Sequence, residues 1–276
     1  MDQLQYTESL YRTKPKPLGL LAKLLPGLSF YAKFVNVIYQ GGRKAKQGQY
    51  SDADWCHSSM NIIRALESVG VCFEISGIQH IEQLEGPCVV ISNHMSMLET
   101  GALPVLIQPI RDVTFVVKQS LLDYPVFKYI MRSRDPIAVT RTNPRQDLKA
   151  VLEGGVDRLQ RGISIVVFPQ TTRTASFDPA QFNSIGVKLA QRAQVPIVPL
   201  ALLSDAWGNG RFFKDFGKID RSKTVRFAFG EPMQVQGRGT KEHQAIIDYI
   251  TGMLETWQQE RQDEEKCLKC SKVGSA

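Results

Sequence analysis

A histidine and a glutamate stand five residues apart after an apolar run, and both side-chain types suit proton transfer. The run is Cys88-Val89-Val90-Ile91-Ser92, and the pair is His94 and Glu99. A neutral imidazole accepts a proton well near pH 7, and a carboxylate partner fixes its tautomer and stabilises its charged form. Such a run predicts a buried strand, and open α/β sheets bind ligands at the carboxyl ends of their strands. The pair therefore indicates a base that activates a hydroxyl.

Glu99 also fits a purely structural role. Ser96-Met97-Leu98-Glu99 matches a capping box with Ser96 as the N-cap residue. Side chains five residues apart in a regular helix point about 140° away from each other. His94 can therefore meet Glu99 only from a turn that precedes the helix, and the capping box places it on such a turn. The two roles are compatible, although a cap without catalysis remains the alternative.

A second polar group follows another apolar run. The segment Phe168-Pro169-Gln170-Thr171-Thr172-Arg173-Thr174 offers an amide, hydroxyls and a guanidinium on a tight loop. Arginine suits bidentate recognition of a phosphate. The same residues also fit an ordinary polar turn, and this segment alone leaves both interpretations open.

Strands and helices alternate from Ser51 onward, which predicts an α/β fold with a mainly parallel central sheet flanked by helices. Strands are predicted over residues 71–76, 87–92, 113–117, 136–140, 163–168, 195–203 and 224–229. Helices are predicted over residues 52–69, 96–108, 119–132, 143–161, 180–193 and 240–262. Asn143-Pro144 is a favourable helix start, with asparagine as N-cap and proline as the first helical residue.

Composition favours a globular chain with a basic N-terminal segment. The 276 residues are 43% hydrophobic and 22% charged, which is typical of one large folded domain. The net charge is +7, and residues 1–50 hold eight bases against two acids, so nearly all the excess lies there. Because these bases alternate with leucine and phenylalanine, they favour an anionic membrane surface over nucleic acid.

Three cysteines and the N-terminus indicate a reducing, cytoplasmic setting. Cys56, Cys72 and Cys88 lie in apolar or helical contexts and are predicted to be reduced core thiols. The chain opens with polar and acidic residues rather than with a secretory signal. No run reaches the roughly 18 apolar residues that a membrane-spanning helix needs.

Residues 17–40 are predicted to form one or two short amphipathic helices, followed by a basic linker over 41–50. Lys23 and Lys33 can extend their charged ends from an otherwise apolar face. Either this face docks on a membrane surface or it packs on the domain, and the segment alone leaves both possibilities open.

Four motifs in order resemble those of the glycerophospholipid acyltransferase family, which includes lysophosphatidate acyltransferases. Residues 93–99 are similar to the family's N-H-x-S-x-x-D, and residues 168–174 to its F-P-E-G-T-R-S. Lys118 and the run 137–141, which ends in Arg141, resemble the basic region between these motifs. Residues 195–199 are similar to its last motif, V-P-[IV]-V-P. The resemblance covers roughly residues 85–205.

The resemblance implies acyl transfer to a hydroxyl without a metal or cofactor. His94 would take the proton of the acceptor hydroxyl, which attacks the thioester of acyl-CoA or acyl-carrier protein. Glu99 would orient His94 and stabilise its imidazolium, as the carboxylate does in a serine-hydrolase triad. Backbone N–H groups at the start of the helix from Ser96 would assist the oxyanion. Of the implied substrate contacts, Lys118, Arg141 and Arg173 would hold the acceptor phosphate. The others are Asn93, Ser96, Gln170, Thr171 and Thr172.

Two positions depart from the family pattern. Glu99 replaces the usual aspartate and lengthens the arm by one methylene, as in the similar lipid A acyltransferases. Gln170-Thr171 replaces a Glu-Gly pair; glutamine can still hydrogen-bond an acceptor hydroxyl, but threonine takes positive φ less readily than glycine. These departures predict a different acceptor or, alternatively, a catalytically degenerate member that only binds lipid.

The resemblance also implies an organisation and a location. We expect a basic amphipathic membrane-docking segment over residues 1–50, an acyltransferase domain over 51–262 and a flexible tail over 263–276. The expected partners are a membrane surface with anionic lipid and the acyl thioester donor, and no nucleic acid. The expected location is the cytoplasmic face of a membrane, as a peripheral or monotopic protein.

Overall fold

A mainly parallel sheet forms the centre of the molecule. The computed structural model describes residues 2–125, 127–170, 172–210 and 214–273, with side chains described as far as Glu264. Within these residues the strands are β1 Leu10–Arg12, β2 Phe73–Ser76, β3 Val89–Ser92, β4 Val113–Lys118, β5 Ile137–Val139, β6 Ser164–Val167, β7 Ile197–Leu203 and β8 Val225–Phe229. They form one sheet in the order β1-β2-β8-β7-β3-β6-β4-β5.

Five neighbouring strands of this sheet, β7, β3, β6, β4 and β5, run in the same direction. Every residue of β3, β6 and β7 is buried, because helices cover both faces of a parallel sheet. At the other side β8 pairs antiparallel with β7, and β1 pairs antiparallel with β2. The predicted α/β fold with a mainly parallel sheet is confirmed.

Helices cover the sheet in two layers. The helices are α1 Leu20–Leu24, α2 Pro26–Lys46, α3 Asp52–Glu67, α4 Gln79–Glu82, α5 Leu98–Ile107, α6 Lys128–Arg132, α7 Pro144–Gln160, α8 Ile185–Ala193 and α9 Thr240–Val273. Side chains of β3 alternate between the layers: Val90 joins the core under α2, α3 and α5, while Val89 and Ile91 join the core under α7, α8 and α9. The period-2 alternation of a strand is thus filled on both sides.

Local chemistry explains where two helices begin. Ser51 and Asp54 form a complete capping box at the start of α3. Asn143 accepts a hydrogen bond from the Gln146 N–H at 3.2 Å, with Pro144 as the first residue of α7. The predicted start at Asn143-Pro144 is therefore confirmed.

Two predicted elements differ from the structure for identifiable reasons. The single helix predicted over 119–132 is a 3-10 turn, Gln119–Leu122, followed by α6, because Pro125 lacks an N–H and interrupts a helix. The basic linker predicted over 41–50 is helical as far as Lys46. Gly41 serves packing there rather than a turn: a Cβ at this position would lie 3.1 Å from Ile130 Cδ1.

The N-terminal segment is part of the folded domain rather than a separate unit. Phe30 and Phe34 of α2 are fully buried and pack edge-to-face on Trp207, with ring centroids 4.8 and 5.0 Å away. Residues 10–12 add β1 to the sheet. The predicted boundary at residue 50 therefore does not divide two folded units. At the other end, residues 263–273 continue α9, so most of the predicted flexible tail is helical.

The cysteine prediction was correct at two positions. Cys56 and Cys88 are buried, but Cys72 is exposed, because it precedes β2 with its side chain outside the core.

Candidate active site

Two loops meet at the carboxyl ends of neighbouring strands. The segment 93–97 follows β3, and the segment 168–174 follows β6, which pairs with β3 in parallel. The end of β7 lies on the other side of β3. The carboxyl edge of a parallel sheet is the usual place for a ligand site. The structure therefore brings together the two polar groups that the sequence singles out.

The turn after β3 is built from buried polar side chains. The Asn93 amide accepts from the Leu202 N–H and donates to the Leu202 carbonyl, each at 2.8 Å, which ties the turn to β7. Ser96 Oγ accepts from the Leu98 N–H at 3.1 Å and donates to Ser204 Oγ at 2.9 Å. Both side chains are used within the protein, so the structure assigns them to the shape of the turn.

The predicted capping box is only half formed. The Ser96 N–H donates to Glu99 Oε1 at 2.8 Å, as a capping box requires. The reciprocal bond is absent among the described residues, since Ser96 Oγ accepts from Leu98 and the residue preceding α5 is Met97. His94 nevertheless lies before the helix, as the five-residue spacing demands.

Glu99 is a fully buried carboxylate surrounded by donors. Its Oε2 lies 2.6 Å from His94 Nδ1. Its Oε1 accepts from the N–H groups of Met95 and Ser96, at 3.0 and 2.8 Å, and from the Ser204 hydroxyl. No surface of Glu99 is exposed to water. These partners hold the carboxylate in one orientation, with Oε2 directed at the imidazole.

This arrangement determines which nitrogen of His94 is basic. Because the carboxylate accepts, Nδ1 carries the proton of the neutral ring and Nε2 holds the lone pair. Nε2 makes no hydrogen bond to any described residue, and the side chain keeps 13% of its surface exposed. The ring stacks on Phe168 with centroids 4.3 Å apart and an interplanar angle of 18°. Stacking and the Glu99 bond together fix the orientation of the imidazole, which remains partly exposed.

Gln170 contacts the histidine main chain. Its Oε1 accepts from the His94 N–H at 2.7 Å, and its Nε2 donates to Thr174 Oγ1 at 2.8 Å. The amide is therefore already paired within the protein, in contrast to the expectation that it would bind an acceptor hydroxyl. Thr172 is exposed and accepts from Lys214 Nζ at 3.3 Å. Thr171, the other predicted contact on this loop, lies outside the described residues.

Three predicted cations line the same edge of the sheet. Lys118 ends β4 and is exposed, and its register partner Val139 lies two residues before Arg141. Arg141 has a φ of +62°, and Asp147 holds its loop by accepting from the Arg141 N–H at 2.7 Å. Desolvation, and next the like charge of Arg173, lower the pKa of Arg141. Two guanidinium groups therefore lie close enough to repel, which is the arrangement that an anion stabilises.

Arg173 is not a free cation. Its Nη2 lies 2.8 Å from Asp215 Oδ1, and both side chains are largely buried. A phosphate that bound Arg173 would compete with this carboxylate.

Two of the N–H groups near the predicted start of the helix, those of Ser96 and Leu98, donate to side chains of this protein. The N–H groups of His94 and Met95, which precede that start, are occupied in the same way. These four groups are therefore not available to an oxyanion.

Comparisons with known proteins find acyltransferases among the proteins that this chain resembles. The family model described as Acyltransferase matches residues 72–203. A 1-acyl-sn-glycerol-3-phosphate acyltransferase of Pseudomonas aeruginosa is 28% identical over 204 residues, which cover 74% of this chain and 73% of the relative. Over residues 72–203 the chain is therefore similar to the acyltransferase family. It is an O-acyltransferase.

Two further relatives extend the match. The human 1-acyl-sn-glycerol-3-phosphate acyltransferase beta is 26% identical over 232 residues, covering 84% of this acyltransferase and 78% of the relative. The crystal structure of the 1-acyl-sn-glycerophosphate acyltransferase PlsC from Thermotoga maritima superposes with a TM-score of 0.61 and 19% identity. It covers 86% of this chain and 97% of that chain. That likeness shows a shared fold.

Sequence reasoning missed two side chains of the acyltransferase site. Ser204 follows β7 and donates to Glu99, but a single serine after an apolar strand carries no signal of its partner. Asp215 pairs with Arg173 from a loop 42 residues later, and such a pairing is invisible without the fold.

An apolar cavity adjoins the acyltransferase site. It has a volume of about 90 Å³ and lies beneath α2, next to the first turn of α5. Its lining includes Phe34, Ile38, Met97, Thr100, Phe115 and Trp207. Met97 lies two residues before Glu99, so one wall of the cavity belongs to the segment that carries the dyad.

Within the described part of the acyltransferase, no helix is both long enough and apolar enough to cross a bilayer.

Proposed function

We propose that this acyltransferase esterifies the free hydroxyl of a 1-acyl-sn-glycerol-3-phosphate, with acyl-CoA or acyl-carrier protein as the donor. The observation that carries the proposal is the His94–Glu99 pair with its free Nε2. The acceptor follows from the names of the relatives and from the guanidinium groups near the same edge of the sheet.

In the proposed reaction His94 Nε2 takes the proton of the acceptor hydroxyl. The oxygen attacks the thioester carbonyl, so that a carbon–oxygen bond forms and the carbon–sulfur bond breaks. The leaving thiolate receives the proton from the imidazolium, which yields the ester and a free thiol. During the step the Glu99 carboxylate faces a positive ring at 2.6 Å instead of a neutral one. The dyad therefore stabilises the charged state more than the resting state, as catalysis requires.

Arg173 is the best candidate to bind the acceptor phosphate, with Lys118 and Arg141 farther along the same edge of the sheet. Arg173 lies on the loop after β6, one strand from His94, whereas Lys118 and Arg141 follow strands two and three positions away. With strands spaced by about 4.8 Å, these correspond to roughly 5, 10 and 14 Å across the sheet. We therefore expect Arg173 to contribute most to acceptor affinity. Asp215→Asn, which removes the competing carboxylate, should lower the KM for the acceptor, and Arg173→Met should raise it.

An exposed leucine face supports peripheral attachment to the cytoplasmic face of a membrane. Leu20 and Leu24 are 74% and 70% exposed, and Leu21, Leu25 and Leu28 are also exposed. Lys23 lies between them and bases follow in the last turn of α2. Apolar side chains with neighbouring lysines suit a bilayer interface that contains anionic lipid.

Acyl transfer by the purified protein tests the enzymatic proposal. The donor is oleoyl-CoA or oleoyl-carrier protein, and the acceptors are 1-oleoyl-sn-glycerol-3-phosphate, lysophosphatidylcholine and monooleoylglycerol. Free thiol is measured with a chromogenic disulfide, and the lipid product by mass spectrometry. We expect phosphatidate from the first acceptor, and neither thiol nor product from His94→Ala. If no thiol is released from the donor with any of the acceptors, the chain is a lipid-binding member without activity. If the neutral acceptor reacts as well as the phosphate, the assignment of the acceptor is wrong.

Flotation with vesicles tests the membrane proposal. We expect binding to phosphatidylcholine vesicles that contain 30% phosphatidylglycerol, and its loss in the variant Leu20→Ser/Leu24→Ser. Activity of this variant on a short-chain, water-soluble acceptor should be unchanged, because neither leucine contacts the site. Equal flotation of the variant and the native protein would contradict the leucine face.

A further inference from the structure

The main chain of the catalytic histidine is held on both sides by the loop that follows β6. Gln170 Oε1 accepts from the His94 N–H at 2.7 Å. The Thr174 N–H donates to the His94 carbonyl at 3.1 Å. Gln170 Nε2 closes the ring by donating to Thr174 Oγ1 at 2.8 Å. The first two bonds join the loop after β3 to the loop after β6, and the third lies within the latter loop.

The glutamine is well placed to act through the main chain rather than on a ligand. It is only 5% exposed, and both ends of its amide have partners within the protein. Phe168, which stacks on the imidazole, lies two residues before it on the same loop. The loop thus fixes the ring from one side and the backbone of the same residue from another.

We propose that Gln170 is a positioning residue for His94: it sets the main chain of the histidine so that the ring lies between Phe168 and Glu99. The inference rests on the proposed function, because it assumes that His94 is the base. It reassigns the position where the family motif carries glutamate from acceptor binding to alignment of the base.

Chemistry at this position decides which substitutions preserve the alignment. A glutamate can accept from the His94 N–H and from the Thr174 hydroxyl, which rotates to donate. A methionine has a similar length and leaves the His94 N–H without a strong acceptor. Gln170→Glu should therefore keep the geometry while adding a charge, and Gln170→Met should lose the geometry without adding one.

The kinetic test separates alignment from acceptor binding. We expect Gln170→Met to lower kcat by about 100-fold, the effect of a misplacement of roughly 1 Å. The KM values for acceptor and donor should change by less than about threefold, since uniform binding is unaffected. Gln170→Glu, measured at its own pH optimum, should have a kcat close to that of the native protein. Gln244→Met on the exposed face of α9 is the matched control and should behave as the native protein.

The pH profile of Gln170→Glu gives a second readout. A new carboxylate beside His94 stabilises the imidazolium, so the acid limb of kcat should move to higher pH by about one unit. The native protein and Gln170→Glu have the same other charged groups around the ring, so these groups do not cause the difference. They are Glu99, Lys118, Arg141, Arg173 and Asp215. The control variant should leave the limb unchanged.

Hydrogen exchange measures the alignment without activity. In Gln170→Met the amide of His94 should exchange faster than in the native protein, while peptides of β7 and α9 stay equally protected. Native exchange together with a raised acceptor KM would show that Gln170 binds the acceptor and would overturn the inference. If no thiol is released by the native protein from the donor in the assay above, the proposed function fails. The exchange rate of the His94 amide in Gln170→Met then still decides whether Gln170 fixes the main chain of His94.

Discussion

Replacement of Glu99 by glutamine tests the dyad most directly. Glutamine has the size of glutamate, and its Oε1 can still accept from Met95, Ser96 and Ser204. The Nε2 that replaces Oε2 is a donor and would face His94 Nδ1, which lies 2.6 Å from the carboxylate oxygen. The imidazole must then present Nδ1 as an acceptor and carry its proton on Nε2. In that tautomer the nitrogen that faces the substrate cannot act as a base.

Two losses set the size of the effect. The imidazolium loses a charge-assisted hydrogen bond to a buried carboxylate, which contributes about 1.5–3 kcal/mol. To act as a base, the ring must also return to the tautomer that carries its proton on Nδ1. In that tautomer the Nδ1–H and the Nε2–H of the glutamine are two donors that face each other without water, which costs a further ~1–3 kcal/mol. Together they predict a decrease in kcat of about 10²–10⁴-fold, at 1.36 kcal/mol for each factor of ten. The KM for the acceptor should change little, because Glu99 is fully buried and cannot touch it.

Steady-state kinetics of Glu99→Gln, with thiol release as the signal, provides the measurement. Glu153→Gln is the matched control, since that glutamate is exposed on α7 and makes only a 3.9 Å ion pair with Lys149. Circular dichroism should show that both variants fold. A kcat within threefold of the native value for Glu99→Gln would refute the dyad and leave Glu99 as a residue that shapes the turn.

Three further predictions concern the supports of the site and of the fold. Ser204→Ala removes one donor to Glu99 and should lower kcat by about tenfold with an unchanged acceptor KM, measured in the same assay. The bond from Lys44 lowers the pKa of Asp54 from 3.8 to about 2, so its stabilisation is present above pH 4 and is lost as the pH falls to 2. Asp54→Asn should therefore lower the free energy of unfolding in urea at pH 7, with a difference that shrinks at pH 3. Gly77 has a φ of +76°, and a Cβ there would overlap the last carbonyl of β8, so Gly77→Ala should cost about 3 kcal/mol in urea unfolding.

The sequence predicted the order of the elements because hydrophobic runs and caps are local signals. The strand after which His94 stands is an uninterrupted apolar run, and Asn143-Pro144 carries its own start signal. The linker predicted over 41–50 was wrong as far as Lys46, because a glycine pair is locally typical of a linker, whereas Gly41 packs against Ile130 of another helix.

The site shows the same division between local and distant information. Spacing and residue type were sufficient to pair His94 with Glu99, because His94 lies on the turn that leads directly into the first turn of α5, which carries Glu99. The partners of Gln170, Ser204 and Asp215 are contributed by other loops, and no periodicity reports them. Gln170 was assigned to the acceptor from its position in the motif. The sequence does not show that its amide accepts a hydrogen bond from the backbone N–H of His94.

The ring cluster of Phe30, Phe34 and Trp207 has a mechanical consequence. Trp207 lies three residues after Ser204, so α2, which directly follows α1 and its exposed leucines, packs against the loop that supports Glu99. If a bilayer binds these leucines, ring packing rather than a flexible linker sets the distance between the bilayer and His94. Removing residues 1–50 would strip two fully buried phenylalanines, at about 3–5 kcal/mol each, from a fold whose whole stability is only about 5–15 kcal/mol. We therefore expect that such a truncation does not give a folded, water-soluble enzyme, because it removes the rings that pack on Trp207 and the loop after β7.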